Sequence, residues 1–204
     1  MKRIYNAPCG DLLIEVNDGL VCLCNWIFES SFNETYAPYE NASVPSPTAD
    51  DHDDSAVMEN TIIQLDEYFR GERMFFDLPL RFSGTPFREK VWKALTEIPY
   101  GSVRSYSQLA ESVGCSGGQR AAAQACSCNR ITIIVPCHRV VAADGSLGGY
   151  TVTHSANHPG KLPEGLAIKQ FLLSHERQGI KTIPRNDHQV IKTIPCSDKI
   201  AEIS

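Results

Sequence analysis

Apolar and polar residues alternate over Leu12-Leu13-Ile14-Glu15-Val16 and again over Leu20-Val21-Cys22-Leu23-Cys24. A side-chain period of two puts alternate residues on opposite faces of a strand. Asn17-Asp18-Gly19 separates the two runs, and Asp-Gly at that point predicts a tight hairpin. Residues 1–28 therefore read as strands. Residues 37–54 are rich in Pro, Ser, Ala and Asp and predict an exposed loop. From Ala56 to Phe69 the period lengthens: Met58, Ile62, Leu65 and Phe69 fall on one face of a helix. Met74 to Leu80 predicts another strand, and this first, mixed α/β unit closes near Phe82.

The second unit opens at Gly84-Thr85-Pro86, with Thr85 as helix N-cap and Pro86 in the first helical position. Phe87, Val91, Trp92 and Leu95 form its apolar stripe, and Pro99-Tyr100-Gly101 ends it. Ser105 to Gly114 predicts a short helix with a polar cap and a terminal glycine. The turn Cys115-Ser116-Gly117-Gly118 leads into a second short helix from Gln119 to Cys126. Two short helices joined by a glycine-bearing turn form a helix-turn-helix pattern. The second carries mostly small side chains and one long cation, Arg120. Such a helix suits either tight packing or close approach to a partner.

Ile133-Ile134-Val135 reads as a strand-like apolar segment, and Ala142 to Tyr150 as a glycine-rich loop. That loop lacks the spacing and the Lys-Ser/Thr of a phosphate-binding loop. Thr151 to Pro163 has no periodicity. Gly165 to Arg177 predicts a helix with Ile168, Phe171, Leu172 and His175 on one side and Gly179 as its stop. Ile180-Lys181-Thr182-Ile183-Pro184 recurs as Ile191-Lys192-Thr193-Ile194-Pro195, too short to bury a core, so 180–204 reads as a disordered tail.

At 204 residues and 42% hydrophobic, the chain can bury a core in one or two domains. No apolar run approaches the roughly 18 residues of a membrane span, and the first residues lack the apolar centre of a signal peptide. A cytoplasmic protein with mostly reduced cysteines is expected, with no membrane partner. The eight cysteines show no paired CxxC blocks, so no metal site is expected; most read as small buried hydrophobes. Net charge is −5 but uneven. Residues 1–83 hold 15 acids and 5 bases, whereas 84–140 hold 3 acids and 7 bases. A local positive balance of that kind suits either a solvated surface or a phosphate partner.

Cys137 is the candidate for chemistry. Pro136-Cys137-His138-Arg139-Val140 sets a thiol beside an imidazole directly after an apolar segment. A free thiol titrates near pKa 8.5, so a nucleophilic cysteine needs a base, a group that orients the base, and donors around it.

This pentapeptide resembles the active-site signature of the O6-alkylguanine-DNA alkyltransferases, also called methylated-DNA–protein-cysteine methyltransferases. Its context matches in order: Gly84-Thr85-Pro86-Phe87, Val91-Trp92, Ile98-Pro99-Tyr100-Gly101, Ser105-Tyr106, Arg120, Asn129, Tyr150, and Leu172-Leu173-Ser174-His175-Glu176. The resemblance is strong from Gly84 to Glu176 and weak before it. It implies a ribonuclease-H-like α/β domain over 1–83 and a mostly helical, winged-helix-type DNA-binding domain over 84–179. It also implies a monomer that needs no cofactor. The implied function is direct repair of O6-alkylguanine, with O4-alkylthymine as a further substrate.

The resemblance also implies residue roles. Cys137 would attack the alkyl carbon, His138 would take the thiol proton through a water, and Glu176 would orient that imidazole. Tyr106 would serve guanine N3, and Asn129 would hold the turn before the nucleophile. Arg120 would fill the gap left by a flipped nucleotide in double-stranded DNA bound through its minor groove. Ala121, Ala122 and Ala125 would let the helix approach the groove, with Arg139 as a further DNA contact. Val140, Gly148, Gly149 and Tyr150 would line the base pocket. No second nucleophile is evident to regenerate Cys137, so each molecule would act once.

Three departures from the family's pattern stand out: the long segment Thr151 to Glu164, Gln124 where a small residue is usual, and Arg130 where proline is common. Two rival functions are a non-catalytic alkyltransferase-like lesion binder and a cysteine hydrolase. The first lacks the nucleophile that Cys137 supplies here. The second would need an oxyanion hole and turnover.

Overall fold

The hairpin signal at Asp18-Gly19 is realised by left-handed backbone at both residues, with φ of 52° and 68°. Two consecutive positive φ values define the turn type whose twist matches paired strands. The computed structural model describes residues 1–27, 54–151 and 163–182. Strands β1 (Lys2–Ala7), β2 (Gly10–Asn17) and β3 (Leu20–Ile27) form an antiparallel meander. On β2 the alternation works as expected, with Leu12, Ile14 and Val16 fully buried. Strand β3 is buried at every position from Leu23 to Trp26, and chain from both units pairs along its free edge. There Cys24 makes a parallel bridge to Ile131, and Val21 bridges Leu80.

Helix α1 (Asp54–Phe69) packs on β2 and β3. Met58 and Leu65 are buried as the periodicity predicts, and so are Thr61, Gln64 and Tyr68. The expected strand over Met74–Leu80 is absent apart from the bridge at Leu80. Backbone pairing there runs only through Val21 and Arg81, with Val21 N on Pro79 O at 2.8 Å and Arg81 N on Val21 O at 3.0 Å. Pro79 has no N–H to extend a ladder.

Helix α2 (Pro86–Thr96) starts as read: Thr85 Oγ1 accepts from Arg88 N, and Pro86 opens the first turn. Helix α3 (Tyr106–Ser112) follows a two-residue strand β4 (Arg104–Ser105). Ser105 and Gln108 form a reciprocal capping box, which satisfies two backbone N–H groups that a helix start leaves free. Helix α4 (Gln119–Ser127) packs against α2 and α3. Trp92 Nε1 donates to Ala125 O at 2.9 Å and ties α2 to α4.

The expected strand over Ile133–Val135 does not form. The segment turns, Ile133 adopts φ 70°, and a single 3-10 turn over Cys137–Arg139 follows. Strand β5 (Val140–Val141) then pairs in parallel with β4. Helix α5 (Pro163–Thr182) closes the described chain. It runs through Gly179 rather than stopping there. A Cβ on Gly179 would lie 2.5 Å from Tyr100 Oη, so this glycine permits close packing instead of ending the helix. Phe171, expected on the inner side of α5, is 38% exposed and stacks on His175. Among the described residues no helix is long and apolar enough to cross a membrane. The expected disordered tail lies outside the described residues from residue 183 on, as do most of the loop over 37–54 and of the long segment after Tyr150.

Candidate active site

The chain before Cys137 is held from two sides. Asn129 Nδ2 donates to Val135 O at 2.8 Å and to Cys137 Sγ at 3.3 Å, while Asn129 Oδ1 accepts from Ile131 N at 3.0 Å. One buried carboxamide thus spans the turn from 129 to 137. From the other side, Cys24 O of β3 accepts from Thr132 N (2.6 Å) and Thr132 Oγ1 (2.9 Å), and Cys24 N donates to Arg130 O at 2.9 Å. These contacts fix Ile133 in a left-handed conformation that is costly for a β-branched residue, of order 1–3 kcal/mol. The turn points Cys137 and His138 inward, 6% and 0% exposed.

His138 Nε2 lies 2.8 Å from Glu176 Oε1. Glu176, fully buried on α5, also accepts from Tyr68 Oη (2.9 Å), Gly101 N (2.9 Å), Arg139 Nη2 (2.9 Å) and Arg139 Nε (3.0 Å to Oε2). Burial alone would raise the pKa of this carboxyl. The hydrogen bond from His138, and the charge and hydrogen bonds of Arg139, outweigh burial and hold it well below the usual carboxylate range. An ionised carboxylate only accepts, so the proton on His138 sits at Nε2. Burial lowers the pKa of His138 against the raising effect of Glu176, which leaves the imidazole neutral. Its Nδ1 is buried with no hydrogen-bond partner among the described residues. The ring therefore holds an available lone pair, oriented by a carboxylate: the arrangement of a general base.

Burial also raises the pKa of Cys137, opposed by the Asn129 hydrogen bond and the charge of Lys169. At rest the sulfur is a neutral thiol. It gains nucleophilic character only as its proton is taken.

Cys137 lines a cavity of about 170 Å³ together with Tyr106, Ala123, Cys126, Ser127, Gly149, Tyr150 and Thr151. Tyr106 opens α3 on one wall. Burial, then the nearby Cys126 and Cys137 thiols, push its pKa up, so it remains a protonated donor. Tyr150 Oη is held by Trp26 Nε1 of β3 at 3.3 Å.

Behind the cavity lining, next to Tyr106, is Lys169, a residue the periodicity of the sequence did not single out as functional. Its fully buried ammonium donates to Leu147 O (2.5 Å), Val140 O (2.6 Å) and Gly149 O (3.3 Å), and lies 6.0 Å from the Tyr106 ring centroid. Burial lowers its pKa from 10.5 to about 8. A signal for Lys169 was present. Ile168, Leu172 and Leu173 mark the inward face of α5, and Lys169 and Glu176 sit on that same face seven residues apart. A charge on an apolar stripe has to find a buried partner. Tyr68 and Trp26 were also missed, because nothing local ties the first unit to a site formed more than 100 residues later.

The structure brings Cys137, His138, Glu176, Tyr106, Asn129, Gly149 and Tyr150 together. Val140 and Gly148, expected to line the pocket, lie behind its lining residues instead: Val140 offers its carbonyl to Lys169, and Gly148 (φ 67°) packs where a Cβ would be 3.2 Å from the Tyr106 ring. Three expected DNA contacts are placed otherwise. Arg139 is 5% exposed and turned inward, with Nη1 on Ile98 O at 2.5 Å and its other nitrogens on Glu176. Ala122 and Ala125 are buried in the core under α2 and α3. The exposed face of α4 carries Gln119, Arg120, Ala121 and Gln124.

Residues 86–178 match the family described as 6-O-methylguanine DNA methyltransferase, DNA binding domain. The methylated-DNA–protein-cysteine methyltransferase of Mycobacterium tuberculosis (strain ATCC 25618 / H37Rv) is 44% identical over 148 residues, 72% of this chain and 82% of that protein. Its namesake from Mycolicibacterium paratuberculosis (strain ATCC BAA-968 / K-10) is 35% identical over 176 residues, 86% of this chain and 92% of that one. The crystal structure of Mycobacterium tuberculosis O6-methylguanine methyltransferase superposes with a TM-score of 0.67 at 33% identity, covering 91% of this chain and 95% of that chain. The Mycobacterium tuberculosis OGT in complex with DNA superposes with a TM-score of 0.65 at 30% identity, covering 87% and 93%. By sequence along most of its length, and by fold, this chain belongs to the methylated-DNA–protein-cysteine methyltransferase family.

Proposed function

We propose that this protein repairs DNA by moving the alkyl group of O6-alkylguanine onto its own Cys137. The observation that carries the reading is the pairing of a buried thiol with a neutral, carboxylate-oriented His138 whose Nδ1 is unoccupied by any described group. In the displacement, Cys137 Sγ bonds to the alkyl carbon as the carbon–O6 bond breaks. The thiol proton passes to His138 Nδ1 through a water, and Glu176 stabilises the imidazolium that forms. Tyr106 Oη passes its proton to guanine N3 as the carbon–O6 bond breaks, so the base departs neutral and the tyrosinate takes a proton back from water. The thioether is stable and each molecule acts once.

The partner is double-stranded DNA. An O6 substituent lies within the base stack, so the nucleotide must be extruded to reach a thiol that is 6% exposed; unstacking costs a few kcal/mol. Arg120, exposed on α4 beside the cavity, takes the place of the extruded base from the minor-groove side, and Ala121 leaves room for that approach. The same reading treats 1–83 as a ribonuclease-H-like domain and 84–179 as a winged-helix-type domain acting as a monomer. The antiparallel β1–β3 sheet backed by α1, and the α2–α4 group with its β4–β5 pair, support that division.

The test is intact-mass measurement after incubation with methylated duplex. One added methyl per molecule, mapped to Cys137, is expected; a methyl on another cysteine would remove the assignment.

A further inference from the structure

The exposed face of α4 carries more than Arg120. On a helix, residues four apart lie above one another about one turn away, so Arg120 and Gln124 share a side, and both are exposed. The adjoining side of the same helix carries Ala123, Cys126 and Ser127, which line the cavity holding Cys137. Gln124 thus lies one turn along the helix from Arg120, level with the cavity-lining Ala123 and Cys126. Its carboxamide is not committed elsewhere: its one described side-chain contact is from Nε2 to Cys128 Sγ at 3.8 Å, and a thiol sulfur is a weak acceptor. Gln119, the other long neutral side chain on this helix, sits one turn before Ala123, on the cavity side rather than on the side shared by Arg120 and Gln124.

We infer that Gln124 is a specificity-determining residue: its carboxamide reads the minor-groove edge of the base pair next to the extruded nucleotide. The inference rests on the DNA reading above. In the minor groove an A·T pair shows only acceptors, whereas a G·C pair adds the guanine N2 amino donor. A carboxamide both accepts and donates. It can therefore take a hydrogen from guanine N2 while giving one to guanine N3, a pairing that adenine cannot complete. Repair then depends on sequence context, faster beside G·C than beside a pair without the amino group. A small residue at this position would have no such preference.

The experiment compares single-turnover repair of two duplexes by the parent protein and by Gln124→Ala. One duplex has guanine at the flanking position and the other inosine, which lacks only the minor-groove amino group. Inosine also weakens pairing and eases extrusion, but it does so equally for both proteins, so the informative quantity is the ratio of ratios. The parent is expected to favour guanine over inosine, relative to the variant, by about threefold to tenfold, the worth of one net hydrogen bond. An identical guanine-to-inosine ratio in both proteins would overturn the inference. So would a uniform loss of rate in the variant with the ratio unchanged, since that marks a backbone contact. A parent that dealkylates free O6-methylguanine but no duplex would overturn the DNA reading and this inference with it.

Discussion

His138 Nε2 donates to Glu176 Oε1 at 2.8 Å, and the other ring nitrogen is buried without a described partner. The carboxylate therefore fixes both which nitrogen is protonated and which one can take a proton. Replacing Glu176 by Gln keeps the shape but removes the charge that Arg139 and the imidazolium need. Breaking one side of a buried ion pair costs about 3–5 kcal/mol. Glu176→Gln is expected to lose stability of that order in urea unfolding and to slow alkylation of Cys137. A variant with parental stability and parental rate would separate Glu176 from the site.

The same pair sets the acid limit of the fold. His138 has a lowered pKa and Glu176 a lowered pKa in the folded protein. Below about pH 6.5 the unfolded chain binds a proton on His138 that the folded chain refuses, and below about 4.3 it does so on Glu176 as well. Stability from both groups is thus fully present above those values and lost as pH falls. Urea midpoints measured from neutral to acid pH should decline in the parent, and the part of that decline below about pH 4.3 that comes from Glu176 should be missing in Glu176→Gln.

Lys169 governs the alkaline side. Its ammonium supports the thiolate of Cys137 and binds three carbonyls of the cavity wall, and it loses its proton near pH 8. The rate of alkyl transfer should therefore rise with thiol ionisation and then flatten or fall above that pH. Lys169→Arg, charged throughout this range, should carry the rise further. An alkaline limb identical in parent and Arg variant would show that Lys169 does not control it. For stability the sign is opposite. The burial cost of the charged lysine is present below about pH 8 and is relieved as pH rises towards its ordinary value.

Much of this arrangement could be read from local patterns and some could not. The β2–β3 hairpin, the Thr85 cap, the Ser105 capping box and the extent of α4 each depend on residues within a few positions, where sequence speaks directly. The turn at Ile133 could not be read. Three successive apolar β-branched or aliphatic residues favour a strand, and only Asn129 and Cys24, acting through tertiary hydrogen bonds, impose φ 70°. Arg139 reads as a surface cation until Glu176, from α5, is placed beside it. Ala122 and Ala125 read as a contact surface because periodicity cannot tell which side of a small-residue helix faces the core.

Gly179 gives a sharp steric test. A methyl at this position would lie 2.5 Å from Tyr100 Oη, and Tyr100 packs edge-on against Tyr68 and 5.8 Å from the Arg139 guanidinium. Gly179→Ala is expected to destabilise by about 1–3 kcal/mol as an overpacked core, although alanine has the higher helix propensity. A stabilised variant in thermal unfolding would mean that Tyr100 yields easily.

Arg120 tests the extrusion step. Arg120→Ala should slow repair of duplex far more than reaction with free O6-methylguanine base, because only the duplex requires a nucleotide to be held out of the stack. Equal losses on the two substrates would remove that role.

A single-use acceptor at Cys137 is best tested by stoichiometry. Methylated duplex in excess over protein should be repaired to a plateau of one lesion per molecule, with all the protein carrying one methyl at Cys137 by peptide mapping. Continued repair past that plateau, or a plateau with Cys137 unmodified, would exclude Cys137 as a single-use acceptor.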